Sequence, residues 1–333
     1  MPWIKALAGL SAMLLVWAAG AAGSESQLQA VHRSRYLMGT VFDITVYHIS
    51  VERAERAAQE AFQKIERLEQ VMSHFRPDSD LSRLCAAGAH RPSPVPESLY
   101  TIIEQSLHFS RLSQGRFDIT VGPLVRLWRE AQARGEVPMA EDIRKARSCV
   151  GFDQIKLIPP NQVELASDCL QLDLGGIGKG YALDRAAEVL AGQGIRRALI
   201  NAGGSTMLAL GAPPGRAGWP VRLGAGTSAR DSLTVILKNN TLSTSRQSRD
   251  TLFPERIAWG HIMDPAAGRP LRELLSVSIL APTATASDAL STATILMNRE
   301  EARAMLDKLE NTAAIWILPD GSIETFAYES TDY

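Results

Sequence analysis

The order of periodic segments constrains this chain's fold more than any other feature. Strand-like runs come in neighbouring groups, with helices between only some of them. Arg35–Tyr47 alternates apolar and polar residues and reads as one strand. Glu52–Met72 then carries Ala54, Ala58, Ala61, Ile65, Leu68 and Met72 at helical spacing. A Pro-rich loop, Arg91–Pro96, precedes helices over Glu97–Ser113 and Pro123–Arg134. Ile155–Ile158 and Val163–Leu165 flank Pro159-Pro160-Asn161 as a hairpin. Leu170–Leu174 reads as a short strand, Gly175–Gly180 as a glycine loop and Tyr181–Ala191 as a helix. Leu199 and Ile200 end a strand at Asn201, and Pro and Gly mark turns between short strands from Ala212 to Gly226. Leu233–Leu237 and Ser276–Leu280 read as strands, Ala286–Met297 and Glu300–Leu309 as helices, and Ala313–Leu318 and Ile323–Phe326 as closing strands. A doubly wound sheet would alternate strand and helix regularly. This order predicts an α+β fold with mixed or antiparallel sheets and packed helices. No linker is long or polar enough to separate independent domains, so residues 24–333 are expected to form one domain of two intimate subdomains.

The chain's 333 residues suffice for a large core. Its 35 basic and 36 acidic residues leave a net charge of −1, which offers no electrostatic reason to bind nucleic acid. The first 23 residues are organised differently. Lys5 is their only charge, and an apolar run to Trp17 ends in Ala18-Ala19-Gly20-Ala21-Ala22-Gly23. That is the pattern of a signal peptide cleaved after Ala21 or Gly23, which implies export to the periplasm. An uncleaved inner-membrane anchor is the alternative, because Ala6 to Gly23 just reaches spanning length. The three cysteines are not a disulfide framework. Cys149 and Cys169 lie equally far from Pro159, across the hairpin's open end. They form either a disulfide, in an oxidising compartment, or two buried thiols.

Four segments carry chemistry. In Leu172-Asp173-Leu174-Gly175-Gly176-Ile177-Gly178-Lys179-Gly180, a carboxylate ends a strand and a glycine loop turns into a helix. Glycines admit close backbone approach, a helix N-terminus favours anionic oxygen, and Lys179 adds positive charge. The pattern is neither a Walker loop nor a dinucleotide fingerprint, and taken alone it reads first as a tight turn with a solvated lysine. Asn201-Ala202-Gly203-Gly204-Ser205 is a second strand-to-glycine turn. In Gly260-His261-Ile262-Met263-Asp264-Pro265, His261 stands beside a turn, where an adjoining nucleotide site would make it a general base. In Ala286-Ser287-Asp288-Ala289-Leu290-Ser291-Thr292, Asp288 and Thr292 are four apart and share a helix face. A carboxylate and a hydroxyl so placed suit Mg²⁺. An Asp in a first helical turn also serves without a metal.

Together and in order, these segments resemble the FAD:protein FMN transferases, the ApbE family. The likeness includes Met38-Gly39-Thr40, Met72-Ser73-His74-Phe75-Arg76-Pro77-Asp78-Ser79 with Leu81-Ser82, and Gly115-Arg116-Phe117-Asp118-Ile119-Thr120-Val121-Gly122-Pro123-Leu124 with Trp128. It spans roughly Tyr36 to Met297. The resemblance implies a fold related to the tetrahydrobiopterin type, Mg²⁺, and FAD as substrate. It implies transfer of FMN to a Thr or Ser hydroxyl of a target protein with release of AMP; some members instead hydrolyse FAD to FMN and AMP. It assigns the metal to Asp288, Thr292, the Gly176 carbonyl and, less directly, Ser291. It assigns FAD contacts to Met38, Phe75, Arg116, Phe117, Asp118, Asp173, Lys179 and Ile262, and makes His261 the candidate base. The expected acceptor carries an Asp-x-x-Ser/Thr-Gly-Ala-Thr-like motif, in a subunit of a membrane redox complex.

Departures from the family pattern concern the acceptor side. Ser205 stands where an acidic residue is common, Arg246 and Ser248 replace a Gly and a Tyr, and Cys85 replaces an Asn. A flavin-binding accessory protein without turnover is therefore a third reading beside transferase and FAD pyrophosphatase. Asp288-Ala289-Leu290-Ser291-Thr292-Ala293-Thr294 itself resembles the acceptor motif, but its Gly is missing and the helix already matches the metal site, which argues against self-modification at Thr294.

Overall fold

The computed structural model describes residues 27–224, 232–247, 260–272 and 275–327. The expected signal segment and Ser248 lie outside them. The scaffold is an eight-stranded sheet of order β1-β2-β6-β7-β10-β13-β14-β15. Its strands are β1 (Gln29–Leu37), β2 (Thr40–His48), β6 (Ala198–Ala202), β7 (Thr206–Leu210), β10 (Thr241–Gln247), β13 (Leu275–Ala281), β14 (Ala313–Ile317) and β15 (Ile323–Phe326). Every neighbouring pair is antiparallel. The α+β expectation holds.

Helices cover one face of the sheet. Phe42, Ile44 and Val46 of β2 are fully buried against the apolar stripe of α1 (Val51–Met72), which spans the expected helix and buries Ala54, Ala58, Ala61, Ile65, Leu68 and Met72. Ser50 caps α1, its hydroxyl accepting from the Arg53 N–H. Beyond α1 come α2 (Asp80–Ala86), β3 (Ser93–Pro94), α3 (Glu97–Leu112), α4 (Gly122–Arg134) and α5 (Ala140–Arg147). The hairpin β4 (Ile155–Ile158) and β5 (Gln162–Leu165) forms as expected, and β3 joins it. Two further helices, α6 (Gly178–Gly192) and α7 (Ala284–Ile295), pack against each other on the sheet, followed by α8 (Arg299–Leu306). On the opposite face the hairpin β8 (Trp219–Gly224) and β9 (Ser232–Leu237) buries Trp219, Val221, Val235 and Leu237 against Leu242, Leu280 and Ile315. A small hairpin, β11 (Met263–Asp264) and β12 (Arg269–Pro270), completes the fold.

Three expectations are corrected. The single strand over Arg35–Tyr47 is two strands, because Met38 and Gly39 form a turn at φ 49° and 75° while the alternation continues on either side. Leu170–Leu174 joins no sheet. It runs extended beside Ile119–Val121, with an isolated parallel bridge Val121↔Gln171 and the Asp173 N–H donating to the Ile119 carbonyl at 2.7 Å. The glycine loop is shorter than expected, since α6 already begins at Gly178. Cys149 and Cys169 form a disulfide with Cα atoms 5.6 Å apart. It ties the chain after α5 to the segment leading into Asp173.

Candidate functional site

The floor of the site is the contact between α6 and α7. Gly180 stands at the crossing, where an added Cβ would collide with the Ala284 carbonyl and lie 2.8 Å from the Asp288 Cβ. That close approach lets each helix cap the other. The first N–H groups of a helix have no partner within it. In α6, the Gly180 N–H donates to Asp288 Oδ2 at 2.9 Å. In α7, the Ala284 and Thr285 N–H groups donate to the Asp184 carboxylate at 2.8 and 2.9 Å. Burial pushes the Asp184 pKa up, against the hydrogen bonds it accepts from Thr285 and Ala284.

Asp288 is 4% exposed and lines a cavity of about 240 Å³. Its Oδ1 accepts from Ser243 Oγ at 3.1 Å and lies 3.4 Å from Thr206 Oγ1 and 3.9 Å from Lys179 Nζ. One turn on, Thr292 lines the same cavity. Gly176 approaches it so closely that a Cβ there would meet Thr292 Oγ1 and the Phe117 ring at 3.2 Å each. Asp288 and Thr292 thus bring hard oxygen atoms to one cavity, and the backbone is glycine at 176, where a side chain would crowd Thr292. That donor chemistry fits Mg²⁺. Ser291 is placed differently. It is fully buried, its hydroxyl donating to the Asp288 carbonyl at 2.9 Å and bonding Ser245 Oγ at 2.9 Å. Among the described residues no group of three or more His, Cys, Asp or Glu could hold a metal, so the candidate site rests on a single carboxylate.

The cavity's walls bring together most of the expected residues: Arg116, Phe117, Asp118, Asp173, Lys179, His261 and Ile262. His261 is exposed and lines the cavity. Desolvation by the surrounding protein, and then the Lys179 charge, hold its imidazole pKa below the ordinary 6.5. Asp118 is already engaged: Oδ1 accepts from the Thr120 N–H and hydroxyl, and Oδ2 from the Phe152 N–H. Burial raises its pKa in spite of these bonds. Asp173 Oδ1 accepts from the Gly175 N–H at 2.8 Å and lies 3.5 Å from His74 Nδ1. Arg116 pairs with Glu301 at 3.2 Å.

Two further cavities adjoin this one. One of about 380 Å³ holds Met38 and Phe75 and shares Gly175 and Lys179 with the first. Another of about 330 Å³ shares Asp173 and Val125 with the first, and His74 and Phe75 with the second. Each pair of cavities shares lining residues, so the three adjoin as one branched cleft, with Asp173 lining two of its arms. Met38 is held in its left-handed turn by its N–H donating to Glu69 Oε1 at 2.8 Å. Phe75 is 69% exposed, with the His74 ring centroid 3.9 Å away and the Arg129 guanidinium 4.8 Å from its own centroid. A larger cavity of about 740 Å³, near Asn239 and Phe326, contains none of the expected residues.

Sequence reasoning assigned no role to Thr206, Ser243, Ser245, Asp184, His74 or Arg129. Asp184 follows the glycine segment by four residues, but its partner lies a hundred positions further on. Of the departures, Cys85 is half-buried beside the cleft, accepts from the Leu172 N–H at 3.4 Å, and has its thiol pKa pushed up by burial. Arg246 donates to the Gly224 carbonyl at 3.0 Å. Thr294 is fully buried, which removes its hydroxyl from any acceptor role in this fold.

Comparison with known proteins adds independent findings. A family model described as the ApbE family matches residues 38–316. An FAD:protein FMN transferase from Treponema pallidum is 31% identical, over 92% of this chain and 90% of its own length. One from Escherichia coli K12 is 29% identical, over 85% and 83%. Among solved structures, the flavin transferase ApbE from Vibrio cholerae superposes with a TM-score of 0.79 at 26% identity, covering 90% of this chain and 97% of its own. The apo flavinyl transferase from Pseudomonas stutzeri gives 0.79 at 27% identity, covering 90% and 95%.

Proposed function

The chain belongs to the ApbE family, and from that premise we propose that it is a Mg²⁺-dependent FAD:protein FMN transferase. The observation that carries this reading is the convergence of Asp288, Thr292 and the Gly176 backbone in one cavity with Lys179 and His261. The acceptor hydroxyl oxygen attacks the phosphorus of the FMN half, a P–O ester bond forms, the pyrophosphate P–O bond breaks, and AMP leaves. Neutral His261 takes the hydroxyl proton. Lys179 and the N-terminus of α6 offer positive potential to the phosphate oxygens. Asp288, Thr292 and the Gly176 carbonyl would hold Mg²⁺, which when bound neutralises pyrophosphate charge. Asp173, His74 and Phe75 each line two of the three adjoining cavities, which together offer room for the two ring systems of a dinucleotide.

The acceptor we propose is a Thr or Ser in an Asp-x-x-Ser/Thr-Gly-Ala-Thr-like motif of an exported redox subunit. The Cys149–Cys169 disulfide supports an oxidising compartment, in keeping with the leader-like composition of residues 1–23. The test is mass spectrometry of a peptide bearing that motif, incubated with the protein, FAD and Mg²⁺. A mass gain matching FMN, lost on chelation, is the expected result. AMP released without acceptor would make the protein a pyrophosphatase. Intact FAD and no gain would make it a flavin binder.

A further inference from the structure

Thr206 and Ser243 face each other across β7 and β10, as a directly paired couple. They are 0% and 1% exposed. A strand position turned toward a packed helix is ordinarily apolar, because a buried hydroxyl without a partner costs stability. Here the two hydroxyls point at the helix that carries Asp288, and their partners are each other, Asp288 Oδ1 and the Ser205 carbonyl.

The protons can be counted. Each hydroxyl has one to give, and carboxylate and carbonyl oxygens only accept. Ser243 Oγ is 3.1 Å from Asp288 Oδ1 and 3.4 Å from the Ser205 carbonyl, so its proton goes to Asp288. The 2.9 Å contact between Thr206 and Ser243 then has Thr206 as donor. The result is a directed chain, Thr206 to Ser243 to Asp288. With the Gly180 N–H on Oδ2, both carboxylate oxygens are pinned by one donor each, and each keeps a lone pair. Lys179 Nζ waits 3.9 Å from Oδ1, beyond hydrogen-bond distance. Released from Ser243, the carboxylate can turn and close on Lys179, an internal ion pair that competes with a cation.

We propose that the Thr206–Ser243 hydroxyl relay is a positioning device that fixes the Asp288 carboxylate and so sets this chain's affinity for a divalent cation. The inference rests on the metal reading of Asp288 above.

The test is calorimetric titration of Mg²⁺ into the full chain holding FAD, without acceptor. In the Ser243→Ala/Thr206→Val variant, Mg²⁺ affinity is expected to fall on the order of tenfold, the scale typical of groups that orient metal ligands. Turnover is expected to recover at saturating Mg²⁺, which a merely structural lesion would not allow. Ser243→Ala alone should lose less, because Thr206 can turn its proton directly to Oδ1, and Ser243→Thr should keep the wild-type affinity. A cooperatively folded double variant with wild-type Mg²⁺ affinity overturns the proposal. If the double variant does not fold, equal affinity in Ser243→Ala and Ser243→Thr overturns it as well. Asp288→Ala in the same titration separates the two levels. If it retains wild-type affinity, the metal assignment fails and the relay with it. If it abolishes binding while the hydroxyl variants bind normally, the relay alone fails.

Discussion

The floor and the rim of the cleft are built on opposite principles. At the floor, α6 and α7 approach so closely that only glycine fits at position 180, and the polar atoms of Asp184 and Asp288 are held by protein donors. At the rim, Phe75 is 69% exposed, and Met38 sits on a tight turn of the β1–β2 hairpin. Highly charged phosphates need preorganised groups whose arrangement costs nothing at the moment of reaction. A ligand that must enter and leave needs adaptable contact area. The contrast predicts that floor substitutions damage turnover and folding together, whereas rim substitutions affect substrate affinity alone.

The largest effect is expected at Asp288. Asp288→Ala should lower FMN transfer by about a thousandfold, corresponding to several kcal/mol of lost charge stabilisation. It should also destabilise the fold by about 1 kcal/mol, because the Gly180 N–H loses its cap. Asp288→Asn sharpens the point: its amide oxygen can still accept from Gly180, so stability should return while transfer does not. Full transfer in either variant breaks the assignment.

His261 comes next. His261→Gln should reduce transfer on the order of a hundredfold, the lower range for loss of a positioned base. The pH profile carries a sign. The imidazole pKa is held below 6.5, so the neutral, proton-accepting form persists as pH falls past that value. Transfer should stay flat from pH 8 down to about 6.5 and decline only in more acid solution. A decline that begins above that value, or that survives in His261→Gln, would assign the base elsewhere.

Gly180→Ala tests the floor without removing any of its functional groups. The added methyl must push Ala284 and the Asp288 Cβ aside, an overpacking cost of about 2 kcal/mol. A lower Tm and weaker transfer together are expected. Unchanged values for both would show that the helices can separate freely.

What the sequence made legible follows from the same contrast. The helix α1 was readable because Ala54 through Met72 repeat an apolar stripe, and the β4–β5 hairpin because Pro and Asn punctuate it. Asp288 and Thr292 were readable because an i,i+4 spacing is local. The strand β10 was not, since the residues it turns toward α7 are Thr241, Ser243 and Ser245 rather than apolar ones, their hydroxyls satisfied by Ala281, Ser287, Asp288 and Ser291. The early start of α6 was hidden for a related reason. Glycines at 178 and 180 are poor helix formers, and the cap that supports them comes from Asp288, far along the chain. Hydrophobic period and local spacing are sequence properties, whereas a buried polar partner is known only once the chain has folded.

The smallest effect belongs to the rim. Phe75 is mostly exposed, lies against His74, and has the Arg129 guanidinium 4.8 Å from its ring. Its removal forfeits little core packing, so Phe75→Ala should leave Tm unchanged. If the ring offers a stacking surface to one of the flat ends of FAD, its loss costs about 1 kcal/mol of binding, roughly a fivefold rise in KM for FAD with kcat retained. Phe75→Tyr keeps the surface and should behave as the wild type. A fall in kcat at constant KM would place Phe75 among the groups that act on the reacting phosphate. Floor and rim would then share the work that the geometry assigns to the floor.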